Sequence, residues 1–444
     1  MHNPSEGKDA VMALTGDCLI TRRLRPYGEH GFLDWISIIR GSDISFTNLE
    51  GLLTNFAGYP AAASGGTYIV GNPEIADDLK WAGFNLFARA NNHSMDWSFG
   101  GLLSTSEHLD ARDMVHAGVG PNLAIARSPA YLDTAAGRVA LISASSTFPA
   151  GAHAGTQRPD LPGRPGLNPL RFSRWFEVPE QDLKTLRGMS EELGLEELKR
   201  RFRRMRPTDS EEDEGVFRLG DLEFRASEGY RVRSRPDPAD LEGNLRAIAG
   251  ASRQADWVLF SLHSHESGPE SLRAPAEFVR DFARQAIDAG AHAVIGHGPH
   301  HLRGIELYRG RPIFYSLGNF VFQNETIRWL PQDIYDRYGL PLEASPDELY
   351  DRRTDRDARG FPSDEMYWRS VIAELTFEQK CLTRALLHPV TLGWKLGRTR
   401  RGRPVLAAGE EAEDIIAEIA KLSRPYGVDV RWDEELECAE VVLD

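Results

Sequence analysis

Five short segments of the sequence carry acidic, amide or imidazole side chains directly after a run of apolar residues. These segments are Gly16-Asp17, Asn48-Leu49-Glu50, Asn91-Asn92-His93, His263-Ser264-His265-Glu266 and the loop from Gly296 to His301. Because open α/β sheets bind ligands at the carboxyl ends of their strands, we expect these side chains to converge on one site. Each residue alone has an ordinary structural role open to it, such as a cap, a turn or a core histidine. Their joint occurrence at five strand ends favours a functional site.

The side chains in these segments match the ligands of a divalent cation. Carboxylate and amide oxygens suit Ca²⁺, Mg²⁺ or Mn²⁺, whereas neutral imidazoles move the preference towards Mn, Fe or Zn. The sequence therefore predicts a divalent metal ion, which is Ca, Mn, Mg or Zn. The predicted ligands are Asp17, Glu50, Asn92, His263, His297 and His300.

A second set of residues is suited to proton transfer. His93 is followed three positions later by Asp96, so that a local turn lets the carboxylate orient the imidazole. His265 and Glu266 form another such pair, for which a solvated loop is an equally good interpretation. The predicted catalytic residues are His93, Asp96, His265 and His297.

The elements that must position these residues alternate along the chain between strand and helix patterns. The strand-like runs, rich in Val, Ile and Phe, begin at Ala10, Asp43, Phe84, Arg138, Trp257 and His292. Between them lie segments with helical periodicity, such as residues 73–83, 101–113 and 275–290. This alternation predicts a layered α/β fold.

Two segments interrupt the alternation. Residues 159–240 open with a Pro/Gly-rich loop and continue with a charged helix at 191–205, an acidic run and a hairpin whose turn is Gly220-Asp221. Residues 332–444 begin with irregular Tyr- and Arg-rich sequence, followed by a strand pair and a helix. We therefore expect a catalytic core of residues 1–158 and 241–331, an insertion at 159–240, and a C-terminal extension at 332–444 that packs on the core.

The insertion is predicted to form part of a groove for an extended peptide substrate. Its helix carries a basic cluster that includes Arg200 and Arg203, and Trp175 offers aromatic surface near the hairpin. A solvated helix face is an equally good interpretation of the basic cluster. The predicted substrate-binding residues are Asn91, Glu266, Arg200, Arg203 and Trp175.

Composition excludes several other classes of protein. The chain of 444 residues is 41% hydrophobic and has a net charge of −14, which disfavours nucleic acid and anionic lipid as partners. Its three cysteines form no CxxC pair, so neither a disulfide framework nor a thiolate zinc site is indicated. The N-terminus lacks the features of a signal peptide and no run approaches the roughly 20 apolar residues of a membrane span. We expect a cytoplasmic protein without a membrane or nucleic-acid partner.

Six motifs together resemble the CapA-like family, often described as poly-γ-glutamate capsule proteins, a branch of the calcineurin-like metallophosphatases. The motifs are GD, NLE, ANNHSMDW, SLHSHE, GHGPHHLRGIELY and PIFYSLGNFVF, within roughly residues 10–150 and 255–325. The resemblance implies a four-layer αββα sandwich with a metal site between loops. Classical members have a His two residues after the first Asp, where this chain has Leu19. The usual HWGxE loop also differs, because Ser264 and His265 stand at the Trp and Gly positions.

Within this family the sequence resembles a soluble epimerase that tailors lasso peptides. That resemblance implies inversion of a Cα stereocentre in a ribosomal precursor peptide by two-sided His/Asp acid/base chemistry at a metal site. The missing histidine at Leu19 weakens the expectation of phosphoester hydrolysis. Two alternatives stay open. One is a metal-dependent hydrolase of a phosphoester or a γ-glutamyl amide, and the other is a non-catalytic protein that binds metal and peptide.

Overall fold

The computed structural model describes residues 9–56, 58–205 and 215–443. Within these ranges the strands, in chain order, are β1 Ala10–Leu19, β2 Ile44–Leu49, β3 Leu52–Leu53, β4 Val70–Gly71, β5 Leu86–Ala88, β6 Val115–Ala117, β7 Val119–Gly120, β8 Ala130–Thr134, β9 Gly137–Ser145, β10 Gly166–Leu167, β11 Phe172–Val178, β12 Val216–Leu219, β13 Leu222–Ala226, β14 Arg231–Pro236, β15 Trp257–His263, β16 Ser267–Gly268, β17 Ser271–Pro275, β18 Ala293–His297, β19 Ile305–Tyr308, β20 Arg311–Phe314, β21 Asn319–Phe322, β22 Arg369–Glu378, β23 Cys381–Thr391, β24 Val405–Leu406, β25 Val430–Asp433 and β26 Cys438–Val441.

The helices of the same ranges are, in chain order, α1 His30–Gly41, α2 Glu74–Ala82, α3 Ser98–Asp110, α4 Leu123–Arg127, α5 Glu180–Glu192, α6 Leu195–Met205, α7 Pro238–Ala251, α8 Glu277–Asp288, α9 Gln332–Arg337, α10 Pro346–Thr354 and α11 Gly409–Ser423. Short 3-10 helices occupy Phe361–Ser363, Glu365–Trp368 and Arg424–Tyr426.

Two large sheets pack face to face. The larger has the strand order β25-β26-β23-β22-β1-β2-β5-β6, with β21 also paired to β1 and β24 to β23. The smaller has the order β19-β20-β18-β15-β9-β8. Apolar side chains from both sheets, such as Met12, Phe46, Leu141, Leu259 and Ile295, meet in one buried cluster between them. The protein therefore has the expected calcineurin-like α/β sandwich fold.

Helices cover the outer faces of both sheets. Trp35 of α1 and Leu79 of α2 pack with Phe87 on the outer face of the larger sheet. Phe282 of α8 packs with Phe260 on the outer face of the smaller one. Burial of these apolar faces on both sides of each sheet gives the four layers that the resemblance implied.

The predicted strands and helices of the core are confirmed, with two differences elsewhere. The charged helix expected at 191–205 is interrupted at Gly194, whose φ of 71° is a left-handed conformation, so α5 ends and α6 begins there. The segment expected to be irregular after residue 332 instead contains α9 and α10, the latter begun by a capping box at Ser345 and Glu348. The acidic run at 209–214 lies outside the described residues.

The insertion forms a separate four-stranded sheet of order β12-β13-β11-β14. The predicted hairpin is confirmed as the antiparallel pair β12 and β13. This sheet occupies residues 172–236, a shorter stretch than the predicted insertion. The two ends of the predicted insertion are bonded to neighbouring segments. Near its start β10 pairs with β7 of the core, and at its end the buried Asp240 forms ion pairs with Arg127 and Arg171.

The C-terminal segment is hydrogen-bonded into the larger sheet. Strand β22 pairs with β1 from Ala10 to Leu14, and α11 adds Ile415 and Ile419 to the cluster between the sheets. Among the helices of the described ranges, none is long and apolar enough to span a bilayer.

Candidate metal centre and cavity

Strand register brings the polar residues of the two sheets together. On the larger sheet, Asp17 is paired with Asn48 of β2 and with Asn319 of β21. On the smaller sheet, His263 of β15 is paired with His297 of β18. All of these strand pairs are parallel, so their carboxyl ends lie at the same edge, and the site forms where the ends of the two sheets meet.

Two glycines permit the close approach of backbones at this edge. A Cβ at Gly16 would lie 1.9 Å from the carbonyl oxygen of Gly318, whose neighbour Asn319 enters the site. Gly298 has a φ of 113°, and its N–H donates to the Asp17 carboxylate at 3.0 Å. The left-handed φ favours glycine, and a side chain there would also meet His265 and Ser264.

Glu50 lies at the centre of the cluster. Its Oε1 is 3.8 Å from Nε2 of His93 and 3.9 Å from Nε2 of both His263 and His300. Nδ1 of His297 is 3.7 Å from Oδ1 of Asp17. These separations are too long for hydrogen bonds, but two ligands of one ion, each about 2.1 Å from it, lie at most about 4.2 Å apart.

Burial determines the charge states of these groups. It raises the pKa of Asp17 and raises that of Glu50 well above its usual value, with the neighbouring Asp17 charge adding to the effect on Glu50. Burial also lowers the pKa of His297 to about 3 and of His300 to about 4. The imidazoles are therefore neutral at pH 7, the form that binds metal, while two carboxylates side by side need a cation or a proton.

Several buried polar atoms of the cluster have no partner within the described part of the chain. They are both carboxylate oxygens of Glu50, both ring nitrogens of His297 and Oδ1 of Asn92. Buried polar groups are almost always satisfied, and unpaired ones are costly. A divalent cation would satisfy these atoms, and the groups Asp17–Glu50–His300 and Glu50–His263–His265 each place three ligand atoms within 4.8 Å of one another. The donor set thus fits a divalent metal ion.

His93 and Asp96 form the expected pair. Nδ1 of His93 is 2.7 Å from Oδ2 of Asp96, and Oδ2 of the same carboxylate accepts the N–H of Ile69 at 2.7 Å. With Nδ1 donating to Asp96, Nε2 of His93 points towards Glu50. The carboxylate therefore fixes the imidazole orientation and leaves Nε2 for proton transfer or for the metal centre.

A cavity of about 340 Å³ opens beside the cluster. Its lining residues include His93, His265, His300, Arg303 and Arg353. His265, predicted to be catalytic, borders the cavity, and its Nε2 is 3.1 Å from Nε2 of His263. The expected pair with Glu266 is wrong, because the Glu266 carboxylate is bound by hydroxyl groups instead. His297 is 1% exposed and is not among the lining residues, so its position suits the metal centre rather than proton transfer to a substrate.

Two residues predicted to bind substrate have their polar atoms engaged within the protein. The Asn91 amide donates to Leu49 and Asn48, and its oxygen accepts the N–H of His93. The Glu266 carboxylate accepts hydrogen bonds from the hydroxyls of Ser146, Thr147 and Ser264. In this structure Asn91 shapes the His93 loop, while Glu266 anchors the loop that carries His265.

Two further residues predicted to bind substrate, Arg200 and Trp175, do not line this cavity. Arg200 is on α6, with its side chain 63% exposed and paired with Glu197 on the same helix. Trp175 stacks against Arg225 and Arg235 of the four-stranded sheet. The side chain of Arg203 lies outside the described residues.

Two asparagines of the site were given no role by the sequence interpretation, although Asn48 lies in one of its five polar segments. The Asn48 amide donates to Asp17 at 2.7 Å, and Oδ1 of Asn319 is 2.9 Å from Nδ1 of His300. A signal was available for both, because Asn48 belongs to the NLE motif and Asn319 to PIFYSLGNFVF. Each orients a predicted ligand, a contribution that only the pairing of strands distant in sequence reveals.

Comparison with known proteins agrees with this fold and site. The family of bacterial capsule synthesis proteins called PGA_cap matches residues 11–324, which contain every predicted ligand. The chain belongs to this family. The family assignment bears out the resemblance to CapA-like proteins of the calcineurin-like metallophosphatase superfamily.

Relatives of the chain include proteins of similar length. The uncharacterized proteins y4sH and y4uA of Sinorhizobium fredii are each 35% identical over 438 residues, covering 96% of this chain and 92% of the relative. The capsule biosynthesis protein CapA of Bacillus anthracis is 24% identical over 324 residues, or 71% of this chain and 61% of that protein. The similarity to y4sH and y4uA therefore extends through the inserted sheet and the C-terminal strands.

Proposed function

We propose that this protein is a metal-dependent enzyme that epimerises a Cα stereocentre of a peptide substrate. The observation that carries the proposal is the presence of two imidazoles, those of His93 and His265, on the lining of one cavity beside the candidate metal centre. Inversion of a stereocentre needs one group to remove a proton from one face of Cα and another to supply a proton to the opposite face.

The two histidines come from different sheets of the sandwich. His93 follows β5 of the larger sheet, and His265 follows β15 of the smaller sheet. A substrate in the cavity would thus border one imidazole from each sheet. Asp96 holds His93 in one tautomer, so that Nε2 can accept the Cα proton. Burial lowers the pKa of His265 to about 4, so in each turnover this imidazole takes up a proton from solvent and delivers it to the opposite face of Cα, while His93 returns the abstracted proton to solvent.

A divalent ion at the cluster of Asp17, Glu50, His263, His297 and His300 would supply positive charge that stabilises negative charge on a substrate carbonyl oxygen. The protein would fix where that ion lies through the contacts that hold its ligands. Asn48 and Asn319 orient Asp17 and His300, and Gly298 lets its loop approach the Asp17 carboxylate.

The surroundings of the cavity support an extended substrate. A neighbouring cavity of about 600 Å³ shares His265 with it and is lined by Phe172, Arg174 and Phe176 of the inserted sheet. A third cavity, of about 490 Å³, shares Arg353 and Phe361 with it. The three cavities adjoin through these shared lining residues, and together they offer more space than a small ester needs, which suits a peptide segment.

Hydrolysis of an amide or ester is the second candidate. It is favoured by the 3.1 Å separation of the His263 and His265 ring nitrogens. If both nitrogens bind the ion, His93 alone remains for proton transfer, and a single acid/base group beside a metal suffices for attack by water. The name of the relative from Bacillus anthracis, a capsule biosynthesis protein, is compatible with either reaction.

Incubation of the metal-loaded protein with a pool of peptides in D₂O distinguishes the candidates. Epimerisation predicts uptake of one deuterium at Cα of an intact peptide, detected by mass spectrometry, with a D-residue found after acid hydrolysis. Hydrolysis predicts cleaved products that carry solvent oxygen when the reaction is repeated in H₂¹⁸O. Intact, unlabelled peptides across the pool would contradict both reactions.

His265→Gln is the variant that sharpens this test. If His265 transfers a proton, the variant keeps its metal content and loses epimerisation, because one face of Cα then lacks its acid. If His265 is a ligand, the metal content falls with activity. His116→Gln, which changes a half-buried histidine paired with Asp110 away from the cavities, is the matched control and should keep both metal content and epimerisation.

A further inference from the structure

The cavity beside the metal centre contains a buried guanidinium, that of Arg303, two of whose donor nitrogens lack hydrogen-bond partners among the described residues. Arg303 is 1% exposed, and its Nη2 donates to the carbonyl oxygens of His265 and Leu272 at 3.4 and 3.2 Å. Its Nε and Nη1 are buried without a hydrogen-bond partner among the described residues. A buried cation with two unused donors is costly, so this arrangement needs an acceptor from outside the chain.

A second arginine lines the same cavity. Arg353 of α10 donates to the hydroxyl of Thr67 and forms no ion pair within the described ranges. Arg353 lies on α10, which stands between β21 and β22 in the chain, whereas Arg303 follows the loop of His300. Both residues line the cavity. The two cations therefore reach one space from different parts of the fold.

The cavity lining has the opposite charge to the protein as a whole. The chain carries a net charge of −14, yet among the described residues the lining includes Arg303 and Arg353 and no aspartate or glutamate. The carboxylates of Asp17 and Glu50 lie below it, each fully buried. Burial lowers the pKa of Arg303 to about 10, which still leaves it charged at pH 7. A bound anion would restore the balance of charge at this place.

We propose that Arg303, assisted by Arg353, is a specificity-determining residue that binds a carboxylate of the substrate next to the metal centre. This inference rests on the proposed function and predicts that the peptide substrate must carry a negative charge. The planar guanidinium has two donors, Nε and Nη1, without partners, and a carboxylate is the acceptor that suits such a cation. A carboxylate held there lies close to His265, whose carbonyl oxygen Arg303 already contacts.

The test measures retention of peptides by the metal-loaded protein. One pool holds N-acetylated tripeptides with a free C-terminal carboxylate, a second holds the same peptides as C-terminal amides, and a third holds amides with Glu at the central position. Affinity selection and mass spectrometry quantify each pool. We expect at least one carboxylate-bearing pool to be retained about tenfold or more over the neutral pool. Which of the two is retained identifies a main-chain or a side-chain carboxylate as the ligand.

Arg303→Gln should lower retention of that pool about tenfold or more. Arg311→Gln, which removes a half-buried guanidinium that donates to the Ala291 carbonyl away from the three cavities, should leave it unchanged. Equal retention of charged and neutral pools, no retention of any pool, or full retention by Arg303→Gln would overturn the proposal. If Arg303→Gln fails to fold, Arg353→Gln provides the same comparison from the half-buried partner. Because the readout is binding, the two proposals fail separately. Equal retention of charged and neutral peptides by the unsubstituted protein overturns this inference alone, and absence of turnover overturns the proposed reaction alone.

Discussion

The strand ends of the two large sheets and the inserted four-stranded sheet place charged residues in contrasting ways. Asp17, Glu50 and His263 are fully buried and are brought together by strands far apart in sequence. On α6 of the insertion, Arg200 and Glu197 are solvent-accessible and pair with each other within one helix. Exposed pairs of this kind contribute little, whereas unpaired buried charges are costly. Charge at a buried strand end is thus the better indicator of function in this protein.

The largest effect is expected from removing the central carboxylate. Glu50→Gln keeps the shape of the side chain and removes its charge, so we expect metal affinity to fall about 100-fold or more. Metal content of the purified protein by elemental analysis measures this. The matched control is Glu374→Gln, a carboxylate paired with His388 away from the site, which should retain wild-type metal content. Unchanged metal binding in Glu50→Gln would place the ion elsewhere.

Replacing the acid/base pair should separate turnover from metal binding. His93→Ala is expected to lower kcat about 10²–10⁴-fold, because the side chain that moves the proton is lost. Asp96→Asn should act in the same direction with a smaller effect, since the imidazole stays but loses its orienting carboxylate. His388→Ala removes a histidine from a similar carboxylate pair outside the cavity and should leave kcat unchanged. Loss of the ion from His93→Ala would instead make His93 a ligand.

Removal of the ion should lower the free energy of unfolding of the protein. A cation that binds only the folded state adds about 2.7 kcal/mol to the free energy of unfolding when its free concentration is roughly one hundred times Kd. Chelation should therefore lower Tm, and adding the ion back should restore it. Glu50→Gln should show no such response. A Tm that is identical with and without chelator would contradict a bound ion.

The smallest effect on the metal centre is expected from the inserted sheet. Residues 173–235 can be replaced by a short Gly/Ser linker because Phe172 and Pro236 are paired neighbours. We expect metal content to be unchanged and peptide retention to weaken about tenfold, since Arg174 and Phe176 of the neighbouring cavity are removed. Retention equal to that of the intact protein would separate the inserted sheet from substrate binding.

Much of the fold could be predicted because its strands have strong local patterns. Runs such as 257–263 and 293–297 are apolar, short and followed by polar residues, a pattern typical of buried parallel strands. The break at Gly194 was missed because single glycines are tolerated in helices, and the left-handed φ there depends on how α5 and α6 pack.

The site was predictable in its main residues and not in its supporting ones. Asp17, Glu50 and His263 come at the ends of apolar runs and carry ligand atoms, so residue type and position were sufficient to single them out. Asn319 depends on the pairing of β21 with β1, strands separated by some three hundred residues, which no local pattern reveals. Arg303 is similar, because its unpaired nitrogens are a property of burial and cannot be read from the motif GHGPHHLRGIELY.

A divalent ion at the strand ends is central to the proposed chemistry of this protein. Anomalous diffraction from crystals grown with Mn²⁺ tests for it in one measurement. We expect a peak about 2.0–2.6 Å from the side-chain ligand atoms of Glu50 and at least two of the residues Asp17, His263, His297 and His300. No anomalous peak in the protein, or one bound only at exposed carboxylates away from Glu50, would contradict it.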